Sequence, residues 1–175
     1  MLEYIKRSNY KLFVSIVFLA SVINAQYLHV VGKDVFGNDG KKIILKGMGL
    51  GGWLVPEGYM LGTWGSPTSI RNRIVELIGE DSTKIFYEKF EKNYVAEEDI
   101  VQLAEWGFNS VRLPFHYKTL SPVYGSYDEK GFTIIDSVLS WCSRSNIYLI
   151  LDMHVAPGSQ SGDENADGDE GAKLW

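Results

Sequence analysis

One cysteine and three histidines are all that the 175 residues hold of these types, and each scarcity closes a route. A lone Cys142 cannot form an internal disulfide, so no disulfide framework organises the chain. It falls on the apolar stripe of a predicted helix and reads as a small core residue. Catalytic zinc takes three protein ligands, and the histidines are scattered: His29 in a predicted hairpin, His116 in a predicted loop after Pro114, His154 at a predicted strand end. A metal-dependent hydrolase using Asp152 and His154 is therefore a minor alternative, and no metal or cofactor is expected. Positive charge is short as well, 17 Lys+Arg against 22 Asp+Glu for a formal net charge of −5. With no basic stripe, a polyanion is repelled, which argues against nucleic acid as a partner. No apolar run reaches the roughly 20 residues that span a bilayer. What the chain does have is 45% hydrophobic residues, 18 glycines, 10 tyrosines and 5 tryptophans. Exposed rings would suit sugar faces, although core packing accounts for most aromatics.

The opening residues have the pattern of a secretory signal. Lys6, Arg7 and Lys11 precede an apolar segment from Leu12 to Ile23, and Ala25 is a small residue before an expected cut. The expected organisation is a signal over residues 1–25 and a mature domain over 26–175, exported and without stable membrane association once the signal is removed.

The mature chain alternates. Asp34 to Lys41 carries the turn residues Gly37, Asn38, Asp39 and Gly40, a hairpin signal. Ile43 to Met48 leads into Gly49-Leu-Gly-Gly-Trp-Leu, and a loop with Trp53, Glu57, Tyr59 and Trp64 follows. Helical periodicity runs from Ser69 to Trp106 in three segments. Their expected inner stripes are Ile70, Ile74, Leu77 and Ile78, then Ile85, Phe86 and Phe90 behind a cap at Asp81 or Ser82, then Ile100, Leu103 and Ala104. Asn109 to Phe115 is the next strand, with Val111 and Leu113 on one face and Ser110, Arg112 and Pro114 on the other. Phe132 to Arg144 is helical through Ile134, Ile135, Val138, Leu139 and Cys142. Ile147 to Gln160 opens as a buried parallel strand, with Leu149, Leu151 and Met153 on a face for covering helices. Tyr148, Ile150, Asp152 and His154 share the opposite face, which turns polar where the strand ends. Ligands bind at that end of parallel strands. The fold class is α/β: an N-terminal hairpin and about three βα units, the N-terminal part of a (β/α)8 TIM barrel that needs roughly 250 residues when whole.

Three stretches carry a family resemblance. They are Leu45-Lys-Gly-Met-Gly-Leu-Gly-Gly-Trp-Leu-Val-Pro-Glu, Gly107-Phe-Asn-Ser-Val-Arg-Leu-Pro-Phe and Leu151-Asp-Met-His-Val-Ala-Pro-Gly-Ser-Gln. In that order they resemble glycoside hydrolase family 5, the cellulase family of retaining β-glycosidases on a (β/α)8 barrel. Gly51-Gly-Trp-Leu-Val-Pro-Glu and Ala156-Pro-Gly-Ser-Gln look closest to its exo-β-1,3-glucanase branch. The resemblance implies a β-glucan polysaccharide or oligosaccharide as substrate. It also implies two catalytic glutamates near the fourth and seventh strands, one after an asparagine; no Asn-Glu pair occurs here, and the 175 residues by themselves are expected to be inactive. By the same resemblance, Arg112 would bond the nucleophile carboxylate and keep it ionised, and His154 would lie beside the sugar. Glu57 would bind hydroxyls of the terminal sugar, and Trp53 is a candidate substrate contact, although packing is the commoner use of such a ring. Asp152 would brace its neighbours. A secreted glycan-binding protein without turnover is the alternative from another class. The acidic loop from Asp163 matches the front of a calcium loop but has Leu174 where the closing glutamate belongs; a solvated loop at the cleft rim is the expectation.

Overall fold

The computed structural model describes residues 27–123, 125–168 and 171–173. The expected signal segment lies outside the described residues. Two compact units divide the chain, Met1–Ile44 and Leu45–Trp175.

In the first unit, strands β1 (His29–Val31), β2 (Asp34–Phe36) and β3 (Lys42–Ile43) form an antiparallel sheet in that order. The expected turn joins β2 to β3: the Gly37 N–H donates to the Lys41 carbonyl, and Gly40 takes φ +72°. A second hairpin, between β1 and β2, escaped the sequence reading. Its two-residue loop opens with Gly32 at φ +64°, a conformation that costs glycine nothing.

The second unit is built on a parallel sheet of β4 (Gly47–Gly49), β5 (Ser110–His116) and β6 (Tyr148–Val155), with β5 in the centre. Between β4 and β5 run α1 (Gly58–Leu61), α2 (Pro67–Ile78), α3 (Glu80–Tyr94) and α4 (Glu97–Glu105); between β5 and β6 runs α5 (Glu129–Arg144). The helix starts follow from local chemistry. Ser66 accepts from the Ser69 N–H with Pro67 at the first helical position of α2, which suits a residue with no N–H to place. Asp128 accepts from the Lys130 N–H at the start of α5. Asp99 reaches back to the Ala96 N–H at 2.8 Å, and Glu97 pairs with Arg144 from the last turn of α5, tying the two helices together.

Alternation on β5 decides where the core lies. Val111, Leu113 and Phe115 turn to one side and pack with Ile100 and Leu103 of α4 and Ile135, Val138 and Cys142 of α5. Val111, Leu113, Ile100, Val138 and Cys142 are fully buried, and each such aliphatic side chain contributes about 1.5–3 kcal/mol. Burial pushes the Cys142 thiol up to about 11, so it stays protonated as a core residue. Gly131 has a packing reason: a Cβ there would fall 1.7 Å from the Thr119 carbonyl oxygen.

Four expectations change. The stripes of α2 and α3 are core only in part: Ile70 is buried and Phe90 packs against the core, but Leu77 is 81% exposed and Ile85 and Phe86 are also exposed, while Thr83 is the buried residue of α3, its hydroxyl bonded to the Gly79 carbonyl. On α3 the rings contact one another instead, Phe86 with Tyr87 and Phe90, and Phe90 with Tyr94. Helix α3 also begins at Glu80, before the expected cap. On β6, Leu149 joins the core but Leu151 and Met153 are about half exposed, because no described α-helix follows β6 to cover them. His116, expected in a loop, is the last residue of β5.

Candidate active site

Arg112 on β5 and Asp152 and His154 on β6 occupy the face opposite the helices. Register puts Arg112 beside Ile150 and Pro114 beside Asp152, so the guanidinium reaches along the strand direction to its neighbours' side chains. Arg112 Nη2 lies 2.5 Å from Asp152 Oδ2 and 2.9 Å from His154 Nδ1, and His154 Nδ1 lies 3.0 Å from the same carboxylate oxygen. The two residues singled out at neighbouring strand ends therefore touch, with Asp152 closing the triangle. A guanidinium only donates. Either His154 Nδ1 accepts from Arg112 and the ring proton sits on Nε2, or Nδ1–H donates to Asp152 and Nε2 accepts. In both arrangements Nε2 has no partner among the described residues and is the nitrogen left for a ligand.

A bulge sets this geometry. Phe115 pairs with Met153, but His116 pairs with Val155, so His154 is an extra residue on β6 at the strand end. Such insertions re-aim side chains. Gln160 then secures the exit of the strand, donating to the His154 carbonyl at 2.7 Å and accepting from the Ala156 N–H.

Glu57, just before α1, is buried, and its carbonyl accepts from the Met60 and Leu61 N–H groups. Its negative charge, together with burial and a hydrogen bond to the phenol, pushes the Tyr59 hydroxyl above its usual range. No hydrogen bond or ion pair joins Glu57 to Arg112 or His154 among the described residues. Trp53, the other candidate contact, sits in packing. It is 3% exposed, packs with Leu50 and Leu54, and donates its indole N–H to the Glu91 carbonyl at 2.9 Å.

The metal alternative meets a charge problem, since the oxygen of Asp152 and the nitrogen of His154 that would be ligands both face a guanidinium. Among the described residues, no group of three His, Cys, Asp or Glu side chains could hold a metal ion.

His116 and Asp167 were not foreseen. His116 Nδ1 accepts from the Lys118 N–H, and its Nε2 lies 3.1 Å from Asp167 Oδ2. Asp167 also accepts from the Thr68 N–H at 2.9 Å and the Thr68 hydroxyl at 2.7 Å. Burial pushes its carboxyl up, but the bonds from His116, Thr68 and Ser66 outweigh that and hold it well below the usual carboxylate range. The acidic loop is exposed from Gly162 to Asn165, as expected, yet anchored at two points: Asp167 binds the start of α2 and Glu164 accepts from the Gly65 N–H. The oxygens a calcium ion would want on Asp167 are already taken. Cavities of about 300 Å³ and 500 Å³ flank His116. Neither is lined by Arg112, Asp152 or His154, and several of the charged groups that line them are already paired, Lys130 with Glu91, Arg71 with Glu80 and His116 with Asp167. The open cluster with an unengaged nitrogen is the better candidate site.

Residues 73–175 match the profile of the cellulase family, glycosyl hydrolase family 5. A β-xylosidase of Phanerodontia chrysosporium is 34% identical over 152 residues, covering 85% of this chain and 32% of that protein. A probable glucan 1,3-beta-glucosidase A of Aspergillus clavatus is 29% identical over 141 residues, 75% of this chain and 32% of that one. An endoglucanase C of Acetivibrio thermocellus is 42% identical over 77 residues, 43% of this chain and 22% of the other. The chain spans about a third of the length of the curated relatives it matches. Among solved structures, the rutinosidase of Aspergillus niger superposes with TM-score 0.54 at 19% identity, over 70% of this chain and 36% of that one. At that identity the likeness bears on the fold, and the parallel strands with their helices are part of a (β/α)8 barrel. Strand-end motifs, architecture and profile agree: the chain belongs to glycosyl hydrolase family 5, the cellulase family.

Proposed function

We propose that this chain supplies the first strands of a retaining glycosidase acting on β-glucans, of β-1,3 or cellulose-like linkage. The observation that carries the reading is the contact of Arg112, Asp152 and His154 at adjacent strand ends. A fixed cation favours an ionised carboxylate beside it, so Arg112, braced by Asp152, is suited to orient a nucleophile. His154 Nε2 is suited to bond a sugar hydroxyl, and Glu57 to bind hydroxyls of the terminal sugar. The relatives named glucan 1,3-beta-glucosidase and endoglucanase support the substrate class.

Retention needs two carboxyls about 5–5.5 Å apart, one attacking the anomeric carbon and the other protonating the leaving oxygen. Among the described residues the one carboxylate that Arg112 and His154 meet is Asp152, already occupied as their brace. We infer that the 175 residues by themselves hold β-glucan without turning it over. Secretion follows from the signal-like residues 1–25. Among the described residues no helix is long and apolar enough to cross a membrane.

Isothermal titration with laminaripentaose tests the reading. Binding by the parent chain that Arg112→Ala and His154→Ala weaken at least about tenfold is expected. Equal binding by both variants, or reducing ends released from laminarin by the parent chain, would contradict it.

A further inference from the structure

Trp53 and Trp64 lie eleven positions apart in the same glycine-rich stretch and meet opposite fates. Trp53 is buried, whereas Trp64 is 71% exposed yet not loose. The Arg73 guanidinium of α2 lies over the Trp64 ring, 5.1 Å from its centroid, and also donates to the Trp64 carbonyl and, at 3.3 Å, to the Thr63 hydroxyl. One face of the indole is thus backed by a planar cation. The following residue, Gly65, takes φ +96° and donates its N–H to Glu164 in the loop after β6. The loop is held from both sides.

Its position is defined on the other flank as well. A Cβ on Gly58 would come within 2.9 Å of the Trp64 Cα, so the absence of a side chain at 58 lets the Trp64 backbone pack directly against the residue after Glu57. Trp64 therefore sits beside Glu57, and its loop is tied to the segment that leaves the strand carrying His154. An exposed ring with a fixed orientation, one supported face and one open face is an arrangement that core packing does not require. β-Linked glucosyl units carry equatorial hydroxyls, and their axial C–H groups make an apolar face that matches a flat ring.

We propose that the open face of Trp64 is a stacking platform for a glucosyl unit of a β-glucan chain, beside the unit whose hydroxyls Glu57 binds. Arg73 is its positioning residue: it holds the indole in place and does not touch the sugar. The proposal rests on the β-glucan reading above.

Trp106 is the built-in control. It is 68% exposed at the end of α4, just before β5 starts, and so belongs to the opposite end of the strands. In native gels containing laminarin, Trp64→Ala should lose retardation by about tenfold in apparent Kd. Trp64→Phe should keep most of it and Trp106→Ala all of it, with thermal melts matched to the parent. Oxidation by N-bromosuccinimide, mapped by mass spectrometry on the parent chain, gives a readout that needs no variant: laminaripentaose should protect Trp64 and leave Trp106 reactive. Unchanged binding by Trp64→Ala, or equal oxidation of Trp64 with and without sugar, overturns the platform and leaves the β-glucan reading standing. A parent chain bound by no β-glucan overturns both.

Discussion

His116 and His154 end neighbouring strands, and the two imidazoles are spent differently. His116 uses both ring nitrogens inside the protein, one on the Lys118 N–H and one on Asp167, and its side chain is 10% exposed. His154 uses only Nδ1, on Arg112 and Asp152, and its side chain is 24% exposed. A histidine with both nitrogens committed holds a fold together; one with a nitrogen to spare can hold a ligand. The bulge separates them, because the extra residue that His154 occupies has no counterpart opposite it on β5.

The comparison breaks most visibly in stability. His116→Ala leaves the buried Asp167 carboxylate short of a donor and is expected to cost about 1–3 kcal/mol, read as a lower urea midpoint. A midpoint equal to the parent's would mean that His116 is no clamp. Asp167→Asn should cost about 1 kcal/mol and change the acid limb of the stability curve. The Asp167 carboxyl is held below its ordinary value, so its contribution is fully present above the unfolded value of about 4 and is lost as pH falls beneath it. Urea midpoints measured from pH 6 down to pH 3 should therefore fall less steeply in the variant. Parallel slopes would remove Asp167 from the account. His154→Ala should move stability by less than about 1 kcal/mol, as for other partly exposed charged clusters, while weakening laminaripentaose binding. A large loss of stability in that variant would make His154 a second structural histidine and end the contrast.

Periodicity made one of these histidines legible and hid the other. Arg112, Asp152 and His154 were readable because strand alternation placed them on the face away from Val111, Leu113 and Leu149, near strand ends where apolar runs turn polar. The buried stripes of α4 and α5 were readable for the same reason, since Ile100, Leu103, Ile135, Val138 and Cys142 recur at helical spacing and reach the core, although Leu139 of the expected α5 stripe is exposed. The His116 clamp was not, because Asp167 is 51 residues away and its acidic loop carries no periodic signal. The bulge was invisible too, being a register shift between two strands rather than a pattern in either. On α2 and α3, Leu77, Ile85 and Phe86 have helical spacing and still face outward; spacing finds a stripe but not what the stripe meets. Trp53 and Trp64 are alike in type and setting, and only the partners Glu91 and Arg73 tell the buried ring from the exposed one.

The most direct test follows the imidazole nitrogens by ¹⁵N NMR during titration with laminaripentaose. The Nε2 resonance of His154 should move with sugar while both resonances of His116 stay in place. A shift confined to His116, or no shift at His154 at saturating sugar, would contradict the assignment of the Arg112–His154 cluster as the place where the glucan is held.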